Sequence, residues 1–432
     1  MTEWSTDTAL AASLDAADEF AEFRSRFELP PPPDGAADSI YFVGNSLGPL
    51  PTKAREYVNQ VLDRWATLGV KGHFQGEPGW AHYHEILIDP LCRMVGAQPG
   101  EIAVMNTLTV NLHTLLASFY RPTAERHKIL IEEHAFPSDH FAVESQIDWH
   151  GFDPAESLVT VKPRDGGELF HVDDIVAAIE QHGDSLATVL LPGVQYYTGQ
   201  VMPIDEIVAA GHSVGATVGI DLAHSVGNVP LTLHDSNVDF ATWCSYKYVN
   251  SSPGGISGIF VHERHVNDQS LPKMKGWWGN RMATRFAMEN TFDPYPTAES
   301  WAVSNGTALP MAALRASLEI FDEAGGVGAL RTKSEKQTAY LLYLLDELLP
   351  GDVASITPRD PAQRGCQLSL EIVPDDIDGR AVFEAIEAGG VFCDWRYPNV
   401  IRVAPTPLFN TFGEIRRFVD LLASAIAANR TA

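Results

Sequence analysis

The chain has 432 residues, of which 45% are hydrophobic and 20% are charged, and its formal net charge is −26. This length and composition are typical of a globular protein with two domains. The acidity argues against a nucleic-acid binder and against docking on an anionic membrane, because both need a basic surface. An anionic substrate would therefore need a local basic pocket, so individual buried arginines matter.

Cysteine usage and the N-terminus predict a cytoplasmic protein. The four cysteines, Cys92, Cys244, Cys366 and Cys393, are too widely spaced for a zinc motif or a disulfide framework. The N-terminus carries acidic residues where a signal peptide needs a basic and then an apolar stretch. The sequence also has no run of 18 apolar residues that would predict a membrane span.

The predicted secondary structure divides the chain into three regions. Residues 1–40 predict an N-terminal arm, in which an acidic helix precedes the stiff linker "LPPPPDG". Residues 41–305 predict a large domain, in which helices alternate with the apolar strands "EIAVMN", "KILIEE", "ATVLLPGV", "ATVGIDLAH" and "VDFATWCSY". This alternation indicates an α/β domain around a mostly parallel sheet. Residues 306–432 predict a smaller α+β domain, with long amphipathic helices and a few strands.

Two polar residues end successive strands of the predicted sheet. Asp221 follows the apolar run "ATVGI", and Lys247 follows "VDFATWCSY" 26 residues later. A buried aspartate can pair with a protonated pyridine nitrogen, and a lysine held beside aromatic rings can form a Schiff base. Each has an ordinary alternative, a turn-capping aspartate and a lysine that reaches out to solvent. Together they fit a fold-type-I enzyme that uses pyridoxal 5'-phosphate (PLP).

Two further stretches fit the same cofactor. In "MNTLTVNLH" a strand ends at Asn106 and a helix starts near Thr107, so free backbone N–H groups can bind a phosphate. In "EEHAFPSDHF" the ring of Phe136 can stack on a pyridine ring and Asp139 can accept a hydrogen bond from the cofactor. An ordinary threonine cap and a loop with a core aromatic residue remain the alternatives.

Other kinds of site lack their signatures. The histidines of "AHYHE" complete no H-E-x-x-H pattern, so no metal site is predicted. The sequence has neither a Walker A loop nor G-x-G-x-x-G, the signatures of nucleotide binding.

In their order and spacing, the motifs resemble those of the kynureninase family. The resemblance rests on "YFVGNSLG", "MNTLTVNLH", "AFPSDHFAVESQ", "YYTGQ", "GIDLAHSVGNV", "DFATWCSYKYVN", "GWWGNRMATRFAM" and "IRVAPTPLFNTFGEI", and it covers nearly the whole chain. It implies a fold-type-I PLP-dependent transferase fold, with a large, mostly parallel domain and a smaller C-terminal domain.

The resemblance also assigns expected roles at the cofactor. Lys247 matches the lysine that forms the Schiff base, Asp221 matches the partner of the pyridine nitrogen, and Tyr246 matches a phosphate contact that can relay protons. These three are the expected catalytic residues. The other expected contacts within the chain are Leu108, Thr109, Phe136, Asp139 and His224. One position departs from the family, because Pro192 stands where relatives often have a serine and offers no donor.

Other matched residues imply a substrate site that two subunits share. Ser46 and His73 match positions near the substrate ring, and Arg402 matches the arginine that binds the α-carboxylate, a geometry that suits a guanidinium. Trp277 and Asn305 match residues that reach the cofactor across a dimer interface, and Asn305 is expected to contact the substrate as well. The resemblance therefore implies a homodimer with shared active sites.

The implied activity is hydrolytic cleavage of the Cβ–Cγ bond of L-kynurenine to anthranilate and L-alanine, a step of tryptophan catabolism and NAD biosynthesis. The substrate can equally be 3-hydroxy-L-kynurenine, which would give 3-hydroxyanthranilate, because His73 and Asn305 can meet a ring hydroxyl. One alternative is a cysteine desulfurase-like or aminotransferase-like enzyme of the same superfamily, although neither Cys244 nor Cys393 has a basic setting. Another is a non-enzymatic PLP-binding regulator.

Overall fold

The computed structural model describes residues 4–268 and 270–430, and its first helices and strands belong to the N-terminal region. They are α1 (Thr8–Ala16), β1 (Phe27–Glu28), β2 (Ile40–Tyr41), β3 (Leu50–Pro51), α2 (Thr52–Leu68) and α3 (Glu85–Val95). The side chain of Asp7 caps α1, and Gly96 ends α3 in the left-handed conformation that glycine adopts without strain.

A large sheet forms the centre of the fold. Its region contains β4 (Ile102–Val104), α4 (Leu108–Phe119), β5 (Lys128–Glu132), α5 (Pro137–Trp149), α6 (Pro154–Ser157), β6 (Leu158–Val161), α7 (Val172–His182), β7 (Leu186–Pro192), α8 (Ile204–Ser213), β8 (Thr217–Asp221), β9 (Phe240–Trp243) and β10 (Gly258–Val261). Within the described residues, seven strands pair in the order β4-β10-β9-β8-β7-β5-β6, and β10 alone runs against its neighbours. The predicted mostly parallel sheet is confirmed.

The remaining elements form a second, smaller sheet and its helices. They are α9 (Glu263–Val266), α10 (Met282–Arg285), α11 (Ala308–Glu323), α12 (Gly326–Leu348), β11 (Val353–Ser355), β12 (Leu368–Ile372), α13 (Gly379–Ala388), β13 (Val391–Phe392), β14 (Asp394–Arg396), β15 (Val400–Val403) and α14 (Phe412–Ala428). Strands β11, β12, β15 and β14 pair antiparallel in that order, and β13 pairs with β2. No helix of the described residues is both long and apolar enough to cross a membrane.

Three large hydrophobic clusters underlie these sheets, and one of them packs Phe119, Phe240 and Trp301 against the large sheet. The first includes Met311 and Leu314 of α11, which packs on α2 and α3. The second combines the C-terminal half of α12 with α13, α14 and Ala11 of α1. The core around the large sheet therefore extends past residue 305, and the domain boundary placed there from the sequence stays a prediction.

Candidate active site

Several strands of the large sheet end at one cavity. Glu132 ends β5, Pro192 ends β7, Asp221 ends β8, and the chain beyond β9 leads to Lys247. The carboxyl ends of parallel strands are the usual place for a ligand in such a sheet. The cavity is lined by Leu108, Thr109, Glu132, Phe136, Ser138, Asp139, Pro192, Val194, Tyr196, Asp221, Ala223, His224, Cys244, Tyr246 and Lys247.

The cavity therefore brings together most of the predicted cofactor residues. Leu108 and Thr109 begin α4, whose N-cap Thr107 makes no side-chain capping bond, so its hydroxyl does not satisfy the first N–H groups of the helix. Phe136 is the N-cap of α5, and Asp139 lies in the first turn of the same helix. Both helices thus direct the positive ends of their dipoles towards one space, which favours an anionic ligand.

Asp221 is held in place by the turn that follows β8. Its Oδ1 atom accepts a hydrogen bond of 2.6 Å from the backbone N–H of Ala223, and its carbonyl oxygen accepts one of 2.8 Å from Gly193. The turn-capping alternative is thus partly correct, because the aspartate caps this turn. The same buried side chain also lines the cavity, so capping fixes its direction and does not exclude a role there.

Lys247 turns inward. Its Nζ lies 3.0 Å from Nε2 of His224 and 5.8 Å from the centre of the Phe136 ring. Burial lowers the pKa of His224 well below its usual range, and the charge of Lys247 lowers it further. His224 is therefore neutral, and its Nε2 lies within hydrogen-bond distance of the lysine nitrogen. The alternative of a lysine that reaches out to solvent does not fit this position.

Three carboxyl groups crowd the cavity. Burial raises the pKa of Asp139. The charge of Asp221 and the hydrogen bond between the two carboxyl groups raise it further, Glu132 adds to the shift, and Lys247 opposes it. Burial also raises the pKa of Glu132 to about 8. Glu132 therefore keeps its proton at neutral pH, and Asp139 is held towards its protonated form beside the Asp221 carboxylate.

The cavity fits PLP on two independent observations. Nδ1 of His224 and Oδ1 of Asp139 are both buried and have no hydrogen-bond partner among residues 4–268 and 270–430. Such atoms normally find partners, so both point to a polar ligand in this space. The ring of Phe136, which is 41% exposed, offers a face for an aromatic ligand. Pro192 also lies on this wall, without an N–H to donate.

Tyr246 is half-buried and lies against Cys244. Burial raises the pKa of the Tyr246 hydroxyl, and contact with the Cys244 thiol raises it further. Burial also raises the pKa of Cys244. Both groups therefore keep their protons at neutral pH, so Tyr246 is able to donate a proton or a hydrogen bond into the cavity.

The predicted substrate residues lie outside this lining. Arg402 of β15 is 1% exposed and donates through Nε to Asp394 at 2.6 Å and through Nη1 to the carbonyl of Tyr196 at 2.5 Å. Ser46 is exposed in the turn after β2, and the ring of His73 stands edge-on to Trp80 at 5.4 Å.

Trp277 and Asn305 are likewise not part of the cavity lining of their own chain. Trp277 is 47% exposed and donates from Nε1 to the carbonyl of Arg285. Its ring meets Phe286 at 5.3 Å, and Phe286 meets Phe74 at the same distance. Asn305 is exposed and borders a separate small cavity. One chain therefore does not assemble every predicted contact.

Three titratable residues of the cavity were not predicted as site residues from the sequence. Glu132 ends an apolar strand exactly as Asp221 does, so the same signal was present in "KILIEE". Tyr196 belongs to the quoted motif "YYTGQ", and its ring meets Phe136 edge-on at 5.3 Å. Cys244 was considered only as a nucleophile, although its place between β9 and Tyr246 puts it on the cavity wall.

The histidines also form contacts away from the cavity. His82 pairs with Glu85, while His84 pairs with Glu299, each at 2.6 Å, so the two histidines of "AHYHE" turn to different partners. Possible ligand atoms of Glu101, His234 and His262 lie within 4.8 Å of one another. Both carboxylate oxygens of Glu101 already accept backbone N–H groups, and Nδ1 of His262 accepts one as well. This cluster is accounted for by helix capping.

A protein-family model and the curated relatives that match this chain carry the same family name. A family model described as the kynureninase C-terminal domain matches residues 330–422. The kynureninase of Xanthomonas campestris pv. campestris (strain B100) is 52% identical over 418 residues, which are 97% of this chain and 98% of that protein. The kynureninase of Xanthomonas oryzae pv. oryzae (strain PXO99A) is 51% identical over 420 residues, with the same coverage.

Solved structures with a similar fold are more distant in sequence. A mutant of C-DES with glycine covalently linked to its PLP cofactor has a TM-score of 0.75 at 18% identity, covering 93% of this chain and 98% of that one. The cysteine desulfurase CsdA from Escherichia coli has a TM-score of 0.75 at 14% identity, covering 95% and 99%. These likenesses confirm the predicted fold-type-I PLP-dependent fold.

Proposed function

The chain belongs to the kynureninase family, and we propose that the cavity at Lys247 is where it hydrolyses L-kynurenine to anthranilate and L-alanine. Kynureninase activity follows from relatives that are 52% identical over nearly the whole chain, and PLP is the cofactor. The observation that carries the assignment of the site is Lys247, held 3.0 Å from a neutral His224 in a cavity with unpaired buried polar atoms.

Specific side chains are proposed to hold the cofactor. Asp221 would face the ring nitrogen, Phe136 would stack on the ring, and Asp139 and His224 would use their unpaired atoms on its polar groups. The N-terminus of α4, at Leu108 and Thr109, would bind the phosphate together with Tyr246, Trp277 and Asn305. Bound PLP supplies an electron sink for the carbanion at the substrate's Cα.

The proton movements are assigned to groups whose states follow from their surroundings. Lys247 would take the Cα proton, and Nε2 of His224 would orient its amine. Tyr246 keeps its hydroxyl proton because burial raises its pKa, so it would relay protons at the γ-carbonyl, where water adds. Arg402 would bind the substrate's α-carboxylate, and Ser46, His73 and Asn305 would lie near its ring.

The choice between kynurenine and 3-hydroxykynurenine is proposed to depend on His73 and Asn305. Both are polar groups that can meet a ring hydroxyl, and a site whose polar groups go unpaired rejects the substrate that lacks it. The measurement is kcat/KM for each substrate, in the wild type and in His73→Ala. Equal values for the two substrates in the wild type, or a preference for unhydroxylated kynurenine, would contradict selection of the hydroxyl.

We also propose a homodimer with shared active sites. Phe74, Trp277 and Phe286 form an aromatic patch that is about half exposed, and Val70 and Met288 are exposed at 80% and 74%. Exposed apolar clusters of this kind commonly mark an interface between proteins. His73 adjoins Phe74 in this patch, so a second copy seated there would have a predicted substrate residue at the interface.

Hybrid dimers test the sharing of active sites. Lys247→Ala and Asn305→Ala proteins should each be inactive or strongly impaired. After their subunits are mixed and exchanged, activity should return, because one site of each hybrid contains a native Lys247 and a native Asn305 from the other copy. Activity that stays at the level of the separate variants after proven exchange would contradict a shared site.

The chain is proposed to form three units. They are an arm of residues 1–40 that packs with the small domain, a large domain of 41–305 and a small domain of 306–432, with α11 attached to the first core.

A cytoplasmic location is also proposed, and it is supported by the four cysteines, all buried and free. The desulfurase-like alternative is not favoured, because burial raises the pKa of Cys244 and Cys393 and keeps both thiols unreactive.

Product analysis tests the proposed activity and its site together. Wild-type protein with PLP should release equimolar anthranilate and L-alanine from L-kynurenine. Lys247→Ala should lose about 10⁴-fold in kcat, at the upper end of the range for a catalytic acid or base. Lys162→Ala is the matched control, because that lysine is exposed and pairs with Glu133 on the surface. Alanine without anthranilate, or a Lys247→Ala protein with wild-type turnover, would contradict the proposal.

A further inference from the structure

Two arginines of neighbouring strands share one carboxylate near the cavity. Asp394 of β14 accepts from Nε of Arg402 at 2.6 Å, from Nη2 of Arg402 as well, and from Nη2 of Arg396 at 3.3 Å. The antiparallel register that places Asp394 opposite Arg402 produces this arrangement. Two guanidinium groups and one carboxylate leave an excess positive charge, which an anion from outside would balance.

Arg402 has little of its donor fork left for a ligand. Its Nε and Nη2 are directed to Asp394, and Nη1 donates to the carbonyl of Tyr196 at 2.5 Å. Asp394 also neutralises its charge within the protein. An α-carboxylate bound by Arg402 alone would therefore compete with a carboxylate that is already in place.

Arg396 is the less committed of the two. Its Nε is buried and has no hydrogen-bond partner within the described ranges, whereas 37% of its side chain remains exposed. Burial lowers its pKa, and so does the charge of Arg402, whereas the shared Asp394 opposes the shift. A guanidinium with an unused N–H and a partly exposed side chain is suited to bind a carboxylate.

Tyr196 connects this pair to the cofactor cavity. Its ring lines the cavity and meets Phe136 at 5.3 Å, while its carbonyl is the acceptor for Arg402. The charges of Arg396 and Arg402 both act on the Tyr196 hydroxyl, so both arginines lie close to this wall. A substrate over the Phe136 face would thus have its carboxylate directed towards both.

We propose that Arg396, together with Arg402, binds the α-carboxylate of the substrate. Arg402, fixed by Asp394 and Tyr196, sets the position of the anion, and Arg396 supplies the unneutralised charge and the free N–H. This inference rests on the proposed function of the cavity.

Arg396→Gln and Arg396→Lys test the proposal in the PLP-loaded enzyme. Arg396→Gln should raise KM for L-kynurenine about 10- to 100-fold, the effect of losing a hydrogen bond to a charged group, with a smaller change in kcat. Arg396→Lys should fall between Arg396→Gln and the wild type, because it keeps the charge but not the fork. Arg380→Gln is the control, an exposed arginine of α13 that pairs with Glu384.

A carboxylate-free ligand separates recognition from structure. The amide of L-kynurenine should bind the wild type and Arg396→Gln with dissociation constants within about 2-fold of each other, followed by the visible absorbance change on titration. The amide has no carboxylate, so the proposed ion pair with Arg396 cannot form in either protein. Equal weakening of kynurenine and its amide would overturn the proposal in favour of a structural role. An unchanged KM in both variants would also overturn it. A wild type that releases no anthranilate would instead refute the proposed function itself.

Discussion

The neighbouring parallel strands β8 and β9 have buried aspartates at opposite edges of the sheet, and the two aspartates have different surroundings. Asp221 closes β8 at the carboxyl edge of the sheet, and Asp239 precedes β9 at the amino edge. Both are almost fully buried, at 6% and 3% exposure. An unpaired charge is costly at either end, so the partners of each aspartate indicate what it does.

Asp239 is fully satisfied. Its Oδ2 accepts from the N–H of Val218 at 2.7 Å and faces Nε2 of His212 at 2.8 Å, and its Oδ1 faces Arg264 and His265, each at 2.6 Å. Although burial alone would raise it, these hydrogen bonds hold the pKa of the carboxyl far below its usual range. This end of the sheet is complete without a ligand and acts in stability.

At the Asp221 end, polar partners are missing. Burial raises the pKa of the neighbouring Glu132 and Asp139, and Oδ1 of Asp139 and Nδ1 of His224 lack partners within the described residues. The contrast teaches that burial of an acid does not by itself mark function. What distinguishes the functional end is a set of donors and acceptors that only a ligand would complete.

The largest expected effect is on catalysis at the carboxyl edge. Asp221→Asn should lower kcat/KM about 10²- to 10⁴-fold, corresponding to the ~3–5 kcal/mol of a broken buried ion pair, because the amide removes the negative charge facing the cofactor's ring nitrogen. The free energy of unfolding of the apoprotein should hardly change. Steady-state kinetics and urea unfolding measure the two. An Asp221→Asn variant with near-native kcat/KM would contradict a catalytic role for this end of the sheet.

At the amino edge the effect should fall on stability. Asp239→Asn should lower the free energy of unfolding by about 3 kcal/mol, because Arg264 loses its buried carboxylate partner and the two histidines lose a shared acceptor. Activity per folded molecule should be retained. Asp235→Asn, on the exposed turn before β9, is the matched control and should unfold like the wild type. Lost activity without lost stability in Asp239→Asn would reverse the assigned roles.

The contribution of Asp239 to the free energy of unfolding should decrease in acid. The folded pKa of Asp239 is depressed, so its contribution is present above the unfolded value of about 3.9 and disappears as the pH falls towards the folded value. The wild type should therefore lose its advantage over Asp239→Asn as urea unfolding is repeated from pH 6 down to pH 3. A gap between the two proteins that widens in acid would contradict this sign.

The smallest effect is expected at Glu132. Because its pKa is raised to about 8, the acid is protonated at pH 6 and a glutamine resembles it. Glu132→Gln should keep kcat/KM within about 2-fold at pH 6, or ~0.5 kcal/mol. Above pH 8 the wild type ionises Glu132 and gains a charge beside Asp221, so the two pH profiles should separate there. Profiles that remain parallel to pH 9 would show that Glu132 does not titrate in this range.

How much the sequence revealed depends on whether a feature is local. Asp221 and Lys247 were found because each follows a continuously apolar run, and parallel strands bring their carboxyl ends together. Asp221 does end β8, whereas β9 ends at Trp243, before Lys247. Glu132 carries the same signal and was overlooked. The pairing of Arg402 with Asp394 was not visible, because it depends on the register of β14 and β15. An amphipathic pattern predicted α11 but not the core on which it packs.

Trp277 and Asn305 mark a different limit. Their roles came from family resemblance, and within one chain they lie apart from the cavity lining. No pattern in a single sequence states which residues a second copy would contribute, because the contact is between chains. The exposed aromatic patch around Phe286 is the physical feature that supports such a contact.

The most direct test of the central claim is to locate the covalent attachment of the cofactor. The PLP-loaded protein is reduced with borohydride, digested and examined by mass spectrometry. The site described above predicts a pyridoxyl group on the peptide containing Lys247, with loss of visible absorbance and of anthranilate release. A pyridoxyl group on another lysine, or full anthranilate release from protein reduced at Lys247, would contradict it.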